Sequence, residues 1–247
     1  MSTKPRVVLI LQARMGSTRL PGKSMMDLAG APLVVRMIER IRRCTRVDQV
    51  VLATTQKPED DVLEKVAYSY GITAFRGSES DLVDRYYQAA LAFKADVIVR
   101  IPGDNPAPEP DEIDRVILYH LQSNNDFSSN YPDVLDNGYP DGIGAEVFSF
   151  EALDRVWKTV SDPRNREHPH TNFYEHPEIF KIGTIECPPE FRRPDIILDV
   201  NTPEQYEFMA QMYDYLYSRN PKFGILDIIQ WYDEVYRNNK TTYLTEG

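Results

Sequence analysis

The sequence predicts an α/β fold with a mostly parallel central sheet and helices on both faces. Three observations predict it. Short β-branched runs alternate with helical patterns through the first half of the 247 residues, which is the order of a crossover-connected parallel sheet. Those runs lack polar alternation, as strands covered on both faces do. Hydrophobic residues make up 42% and charged residues 27% of the chain, an ordinary globular balance able to bury a sizeable core. No internal repeat, low-complexity tract or Ser/Gly linker divides it, so residues 1–247 read as one domain.

The elements follow in order. Val7–Leu11, Gln49–Ala53, Ile72–Phe75 and Asp96–Ile101 read as strands. Between them, Leu33, Met37, Ile41 and Cys44 repeat at helical spacing, while Arg36, Arg40 and Arg43 share another face that reads as solvated. Pro58–Tyr70 opens on Pro and acids and stops before Gly71, as helix ends prefer. Asp81–Lys94 and Asp111–Leu121 complete the helices of the first half. The segment from Asn124 to Gly144 is rich in Asn, Asp, Pro and Gly and reads as long loops. They flank a smaller lobe at about 124–175. Glu146–Phe150 and Ile179–Ile185 read as strands, Glu151–Val160 and Glu204–Tyr217 as helices. Thr202 with Gln205 forms a capping box that fixes a helix start. Ile196–Leu198 ends at Asp199 as a strand would. Ile225–Tyr236 reads as an amphipathic helix whose Trp231, Tyr232 and Tyr236 pack in a core or a dimer contact, and Lys240–Gly247 as a frayed tail.

Charge narrows the function. Lys and Arg total 28 against 38 Asp and Glu, a net charge of −10. Such a surface does not attract nucleic acid or anionic lipid. An anionic ligand therefore needs a local basic site. Two cysteines, Cys44 and Cys187, make no disulfide framework, so a reducing cytoplasm is expected. The apolar run Val7–Leu11 is too short for a signal-peptide core, and no stretch approaches the roughly 18 apolar residues of a membrane span.

The local basic site is the loop Gln12-Ala-Arg-Met-Gly-Ser-Thr-Arg-Leu-Pro-Gly-Lys23, between the first strand and the first clear helix. In open parallel sheets ligands bind beyond the carboxyl ends of the strands, at such turns. Arg14, Arg19 and Lys23 bring charge for phosphates, and Gly16 and Gly22 let backbone approach a ligand. Residues 1–26 hold five basic residues and no acid. A Walker A loop is excluded. Ser17 to Pro21 put five residues between the glycines where that motif has four, and Pro21 removes an amide from the cradle. The loop reads as exposed before ligand binds, so Lys23 would contribute little to stability.

This loop resembles the nucleotide-binding loop of cytidylyltransferases that make CMP-activated acidic sugars, and the spore-coat polysaccharide cytidylyltransferases more than CMP-Kdo synthetase. The likeness continues in order through Phe75–Glu79, Asp84–Tyr86, Val99–Asp104, Tyr139–Gly142, Glu146–Ser149, Arg166–His168 and Asp199–Glu204. It implies a Rossmann-like, GT-A-like nucleotidyltransferase fold with a small dimerisation lobe, CTP as donor, Mg²⁺, a small acidic acceptor and a homodimer. It further implies that Arg14, Arg19 and Lys23 are catalytic. Gln12, Ala13, Gly16, Ser17, Gly22, Gly77, Ser78 and Arg85 would bind nucleotide. Asp104 and Asp199 would be metal ligands, and Tyr139, Asp141, Glu146, Arg166 and His168 acceptor contacts. The chain departs from the family pattern at Gly144, where Asp is usual, and at His168-Pro169-His170, where an aliphatic residue and Thr usually follow the His.

Two alternatives meet counter-evidence. A nucleotide-sugar glycosyltransferase would use an Asp-x-Asp metal motif, and the chain has none. A non-catalytic nucleotide-binding protein would not need to keep Lys23 and Asp104. His168, His170 and His176 do not make a zinc site, because prolines interrupt them and no helical face aligns them.

Overall fold

The computed structural model describes residues 4–132 and 136–238. Its centre is a seven-stranded sheet. The strands are β1 (Val7–Gln12), β4 (Gln49–Thr55), β5 (Thr73–Gly77), β6 (Val97–Pro102), β7 (Phe127–Ser129), β8 (Glu146–Ser149) and β9 (Ile182–Gly183). A two-stranded hairpin, β2 (Asp27–Leu28) and β3 (Ala31–Pro32), stands apart. The order across the sheet is β5-β4-β1-β6-β8-β7-β9. The first four of these strands are parallel, and β8 runs antiparallel to both β6 and β7.

Alternation of side chains on β1 builds two cores. Val7, Leu9 and Leu11 face α1 (Leu33–Ile41), α2 (Asp61–Ser69) and α4 (Pro110–Ser123), and later α8 (Pro203–Tyr217) and α9 (Ile225–Trp231). Val8 and Ile10 face α3 (Leu82–Phe93) and α5 (Phe150–Thr159). With apolar side chains on both faces, β1 reads as an unbroken run, which is why its sequence showed no alternation. Helix ends follow their chemistry. Asp81 caps α3 by accepting from the Asp84 amide, and Lys94 closes it in a left-handed conformation at φ 54°. The Thr202–Gln205 capping box opens α8 as read.

The second half differs from its reading in three places. Only Ile182–Gly183 of Ile179–Ile185 is a strand, because the Ile179 and Phe180 amides turn back to the His176 carbonyl. Ile196–Leu198 is no strand but makes a single parallel bridge, Ile197 to Asp141. The segment read as loops contributes β7, which with β8 extends the central sheet, and two short helices follow, α6 (Pro163–Glu167) and α7 (Thr171–Tyr174). The Arg face of α1 is not solvated. Arg36 and Arg40 are only 5% and 3% exposed. Arg36 donates to the Leu28 and Ala29 carbonyls, and Arg40 to those of Pro108 and Phe223. Trp231 packs in the core against Phe208 and Tyr236. The tail Lys240–Gly247 lies outside the described residues. No helix among the described residues is long and apolar enough to cross a membrane.

Candidate active site

The parallel strands end along one edge, where a cavity of about 480 Å³ opens. The loop after β1 forms one wall. Its backbone is pinned from below: the Met15 amide donates to Asp60 Oδ1 at 2.7 Å, and the Gly22 amide to the Met15 carbonyl at 2.9 Å. Gly22 takes φ 73°, a left-handed turn that lets the chain double back. The loop then enters a short turn, Lys23–Met25, that buries Lys23. Opposite, β6 runs out into Gly103-Asp104-Asn105. A Cβ on Gly103 would strike the Gln12 carbonyl, so only glycine lets these two strand ends meet.

Lys23 is therefore not an exposed loop side chain. It is 9% exposed, and its Nζ donates to the Val200 carbonyl at 2.7 Å, to Asn201 Oδ1 at 3.2 Å and to Asp104 Oδ2 at 3.4 Å. Burial pushes its pKa down, against the pull of Asp104. Arg19 Nη2 donates to the same Asn201 Oδ1 at 2.8 Å. Neither cation can accept a hydrogen bond, so Asn201 must present its carbonyl to them. Its Nδ2 then meets Asp199 Oδ2 at 2.5 Å. Gln205, the capping-box residue, donates to Asp199 Oδ1 at 3.0 Å. One carboxamide thus ties both loop cations to Asp199, an acid far along the chain. Burial raises the Asp199 pKa; its bond from Asn201 opposes this and the charge of Asp104 adds to it.

Asp104 and Asp199 both line the cavity. Two hard oxygen donors, with the charge of Asp104 working against ionisation of Asp199, suit a divalent cation of the Mg²⁺ type, whose remaining positions phosphate and water oxygens would fill. No group of three or more candidate ligands occurs among the described residues. The donor set fits a cation shared with a polyphosphate rather than an all-protein cage.

Most of the site residues read from the sequence meet here. Gln12, Ala13, Arg14, Ser17, Arg19, Lys23, Arg85, Asp104, Asp141, Glu146, His168 and Asp199 all line the cavity. Six do not. Gly16, Gly22 and Gly77 shape the surrounding backbone: a Cβ on Gly77 would press on Arg85 and Phe75. Ser78 Oγ accepts from the Asp81 amide and its carbonyl from Arg85 Nε, so it builds the loop. Tyr139 is fully buried, its hydroxyl on Glu112 at 2.5 Å. Arg166 clamps Asp81 and the Trp157 and Val160 carbonyls, fastening α6 to the start of α3. Glu146 faces the cavity but is spoken for by Arg100 Nη1 at 2.6 Å.

Asn201, Arg100 and His170 were missed by sequence reasoning. Arg100 had a signal, a lone cation inside an apolar strand, and Asn201 stood between two residues already singled out. At Gly144, Asn130 fills the space a side chain would take and accepts from the Ala145 amide at 2.9 Å.

Comparison with known proteins agrees with this geometry. A family model described as cytidylyltransferase matches residues 8–228. The spore coat polysaccharide biosynthesis protein SpsF of Bacillus subtilis is 34% identical over 212 residues, 84% of this chain and 86% of its own. A cytidylyltransferase structure from Leptospira borgpetersenii superposes with TM-score 0.86 at 30% identity, covering 94% of this chain and 95% of that one. The fold is shared further with a CMP:2-keto-3-deoxy-manno-octonic acid synthetase complexed with CTP, at TM-score 0.66 and 20% identity over 85% of this chain and all of the other. A basic loop meeting two acids beyond a parallel sheet, matched along most of the chain, places it in the cytidylyltransferase family, as a CTP-dependent nucleotidyltransferase.

Proposed function

We propose that the chain transfers CMP from CTP to a small acidic acceptor, with release of pyrophosphate, in the making of a cell-surface polysaccharide precursor. The observation that carries this is the Arg19–Asn201–Lys23 junction beside Asp104 and Asp199. It sets cations for a leaving pyrophosphate next to carboxylates for a metal. The acceptor oxygen attacks the α-phosphorus in line and the bond to pyrophosphate breaks. Such chemistry depends on positioning and charge neutralisation more than on covalent help. Arg14, Arg19 and Lys23 hold the β- and γ-phosphates. Arg85 braces the Ser78 and Glu79 carbonyls around the nucleoside. Asp141, His168 and His170 flank the acceptor end. A divalent cation, Mg²⁺ by preference, on Asp104 and Asp199 would supply a charge bridge between phosphate and acceptor oxygens. A carboxylate or phosphate acceptor is already ionised and needs no general base. The polysaccharide role rests on the printed name of the Bacillus relative. A cytoplasmic homodimer, with residues 124–175 at the contact, is part of the same proposal. Unpaired Cys44 and Cys187 agree with the compartment.

The test is one screen with CTP, Mg²⁺ and a panel of acidic acceptors, read by pyrophosphate release and product mass. UTP, ATP and GTP are run in parallel. Asp104→Asn and Asp199→Asn should each lose turnover by about 10²-fold or more, while metal-free CTP binding holds or improves, because one repelling charge is gone. Near-normal turnover of either variant at low Mg²⁺ removes that residue from the metal site, and preference for a purine nucleotide removes the assignment.

A further inference from the structure

Beside the cation junction, the cavity contains a buried charged row that the transfer reaction does not use. Arg100 and Glu146 are register partners across the antiparallel β6–β8 ladder, so they stand on one sheet face. They are 6% and 3% exposed. The rest of that face is apolar: Val8, Ile10, Ile98 and Phe148. An ion pair placed there costs desolvation that a well-packed apolar pair would avoid.

The row ends on Gln12, the last residue of β1. Arg100 Nε donates to Gln12 Oε1 at 3.3 Å, and the Tyr86 hydroxyl donates to the same oxygen at 2.9 Å. A guanidinium has five donors and no acceptor. The atom that Gln12 turns toward Arg100 is therefore its carbonyl oxygen, and the flip of the amide is settled by chemistry. The –NH₂ group points the other way. Among the described residues no partner accepts from it, and it is not sealed from solvent, so it opens on the cavity.

We infer that Gln12 is a binding residue that donates an N–H to a phosphate oxygen of bound CTP, and that Arg100, Glu146 and Tyr86 are positioning residues that hold its carboxamide donor-first. This rests on the CTP reading above and adds the group, its orientation and the device that orients it. Glu146 thereby acts from behind Arg100 rather than on an acceptor.

Gln12→Glu tests it without endangering the fold. A carboxylate still accepts from Arg100 and Tyr86, and gives Arg100 a second counter-charge, but has no N–H to offer. Gln12→Met removes the donor without adding charge. Calorimetry with CTP and Mg²⁺ should show binding weakened about 10-fold or more in both variants, the range for a lost charge-assisted hydrogen bond. The thermal midpoint of Gln12→Glu should equal or exceed wild type. Arg100→Gln with Glu146→Gln, exchanged together so that no lone charge stays buried, completes a double-mutant cycle. The pair should weaken CTP binding in the wild-type background and add little in Gln12→Met. If wild type binds CTP and Gln12→Glu binds it equally well, the inference is overturned alone. An equal effect of the pair in both backgrounds overturns the positioning role. A wild type that does not bind CTP overturns the functional reading itself.

Discussion

Asn201 joins three charged groups through one carboxamide, and its neighbour Lys23 shows what that costs to disturb. Removing the ammonium strips the buried Val200 carbonyl of its donor and takes the counter-charge from Asp104, which lines the cavity. Lys23→Ala should therefore destabilise the fold by about 1–3 kcal/mol, where an exposed loop lysine would cost almost nothing. On the proposed reaction, turnover should fall by about 10²-fold or more as the leaving pyrophosphate loses its contact. Chemical denaturation and kinetics on the same preparation check both. A variant with full stability and reduced turnover would mean that Lys23 swings free in solution. The sequence made Lys23 legible as a phosphate ligand because glycines, charge and loop position coincided. Its burial was not legible, because it comes from Val200 and Asn201, far along the chain.

Elements were readable where their own side chains decided them. β1, β4 and β6 are long enough, and apolar enough on both faces, to show as unbroken runs. β7 and β9 have three and two residues, and their strand state comes from ladder partners. The arginines of α1 misled for a related reason: period alone cannot tell a solvated cation from one capping distant carbonyls. Helix α4 carries a further buried group, His120. It is 4% exposed, with Nδ1 at 3.1 Å from Ser128 Oγ of β7. Burial pushes its pKa down to about 4 from an ordinary 6.5. The folded state thus holds the neutral ring while the unfolded chain takes up a proton below pH 6.5. Stability is full above that value and falls as pH drops toward 4. Between pH 7 and pH 5 this linkage should remove about 2 kcal/mol. Urea midpoints across that range should slope downward in wild type and flatten in His120→Gln; parallel slopes would mean the ring is hydrated.

At the scale of the molecule, the open parallel sheet determines where the site lies, and the turn from parallel to antiparallel at β6–β8 determines which chain segments reach the proposed acceptor end. The parallel part was legible from the order of elements. The antiparallel extension was not, since loop-like composition concealed β7. Assembly belongs to this scale too. The proposed symmetric pair meets through the lobe at residues 124–175. Sedimentation at micromolar concentration should find a dimer, and a single-chain species throughout the range would remove the dimer from the proposal.

The cation junction has one more consequence. Five cations line the cavity, Arg14, Arg19, Lys23, Arg85 and Arg100, against six carboxylates, Glu79, Asp104, Asp141, Glu146, Glu167 and Asp199. Three of these cations already carry a carboxylate: Arg14 on Glu167 at 3.8 Å, Lys23 on Asp104 at 3.4 Å and Arg100 on Glu146 at 2.6 Å. A lone phosphate ion must compete with the carboxylates on those three cations, so it gains little by entering there. A nucleotide that arrives with its own divalent ion would supply both halves of the exchange: phosphate for the cations, and the ion for the carboxylates they release. On the proposed function, selectivity for a metal-bearing triphosphate over the free phosphate of the surrounding solution would follow from these ion pairs.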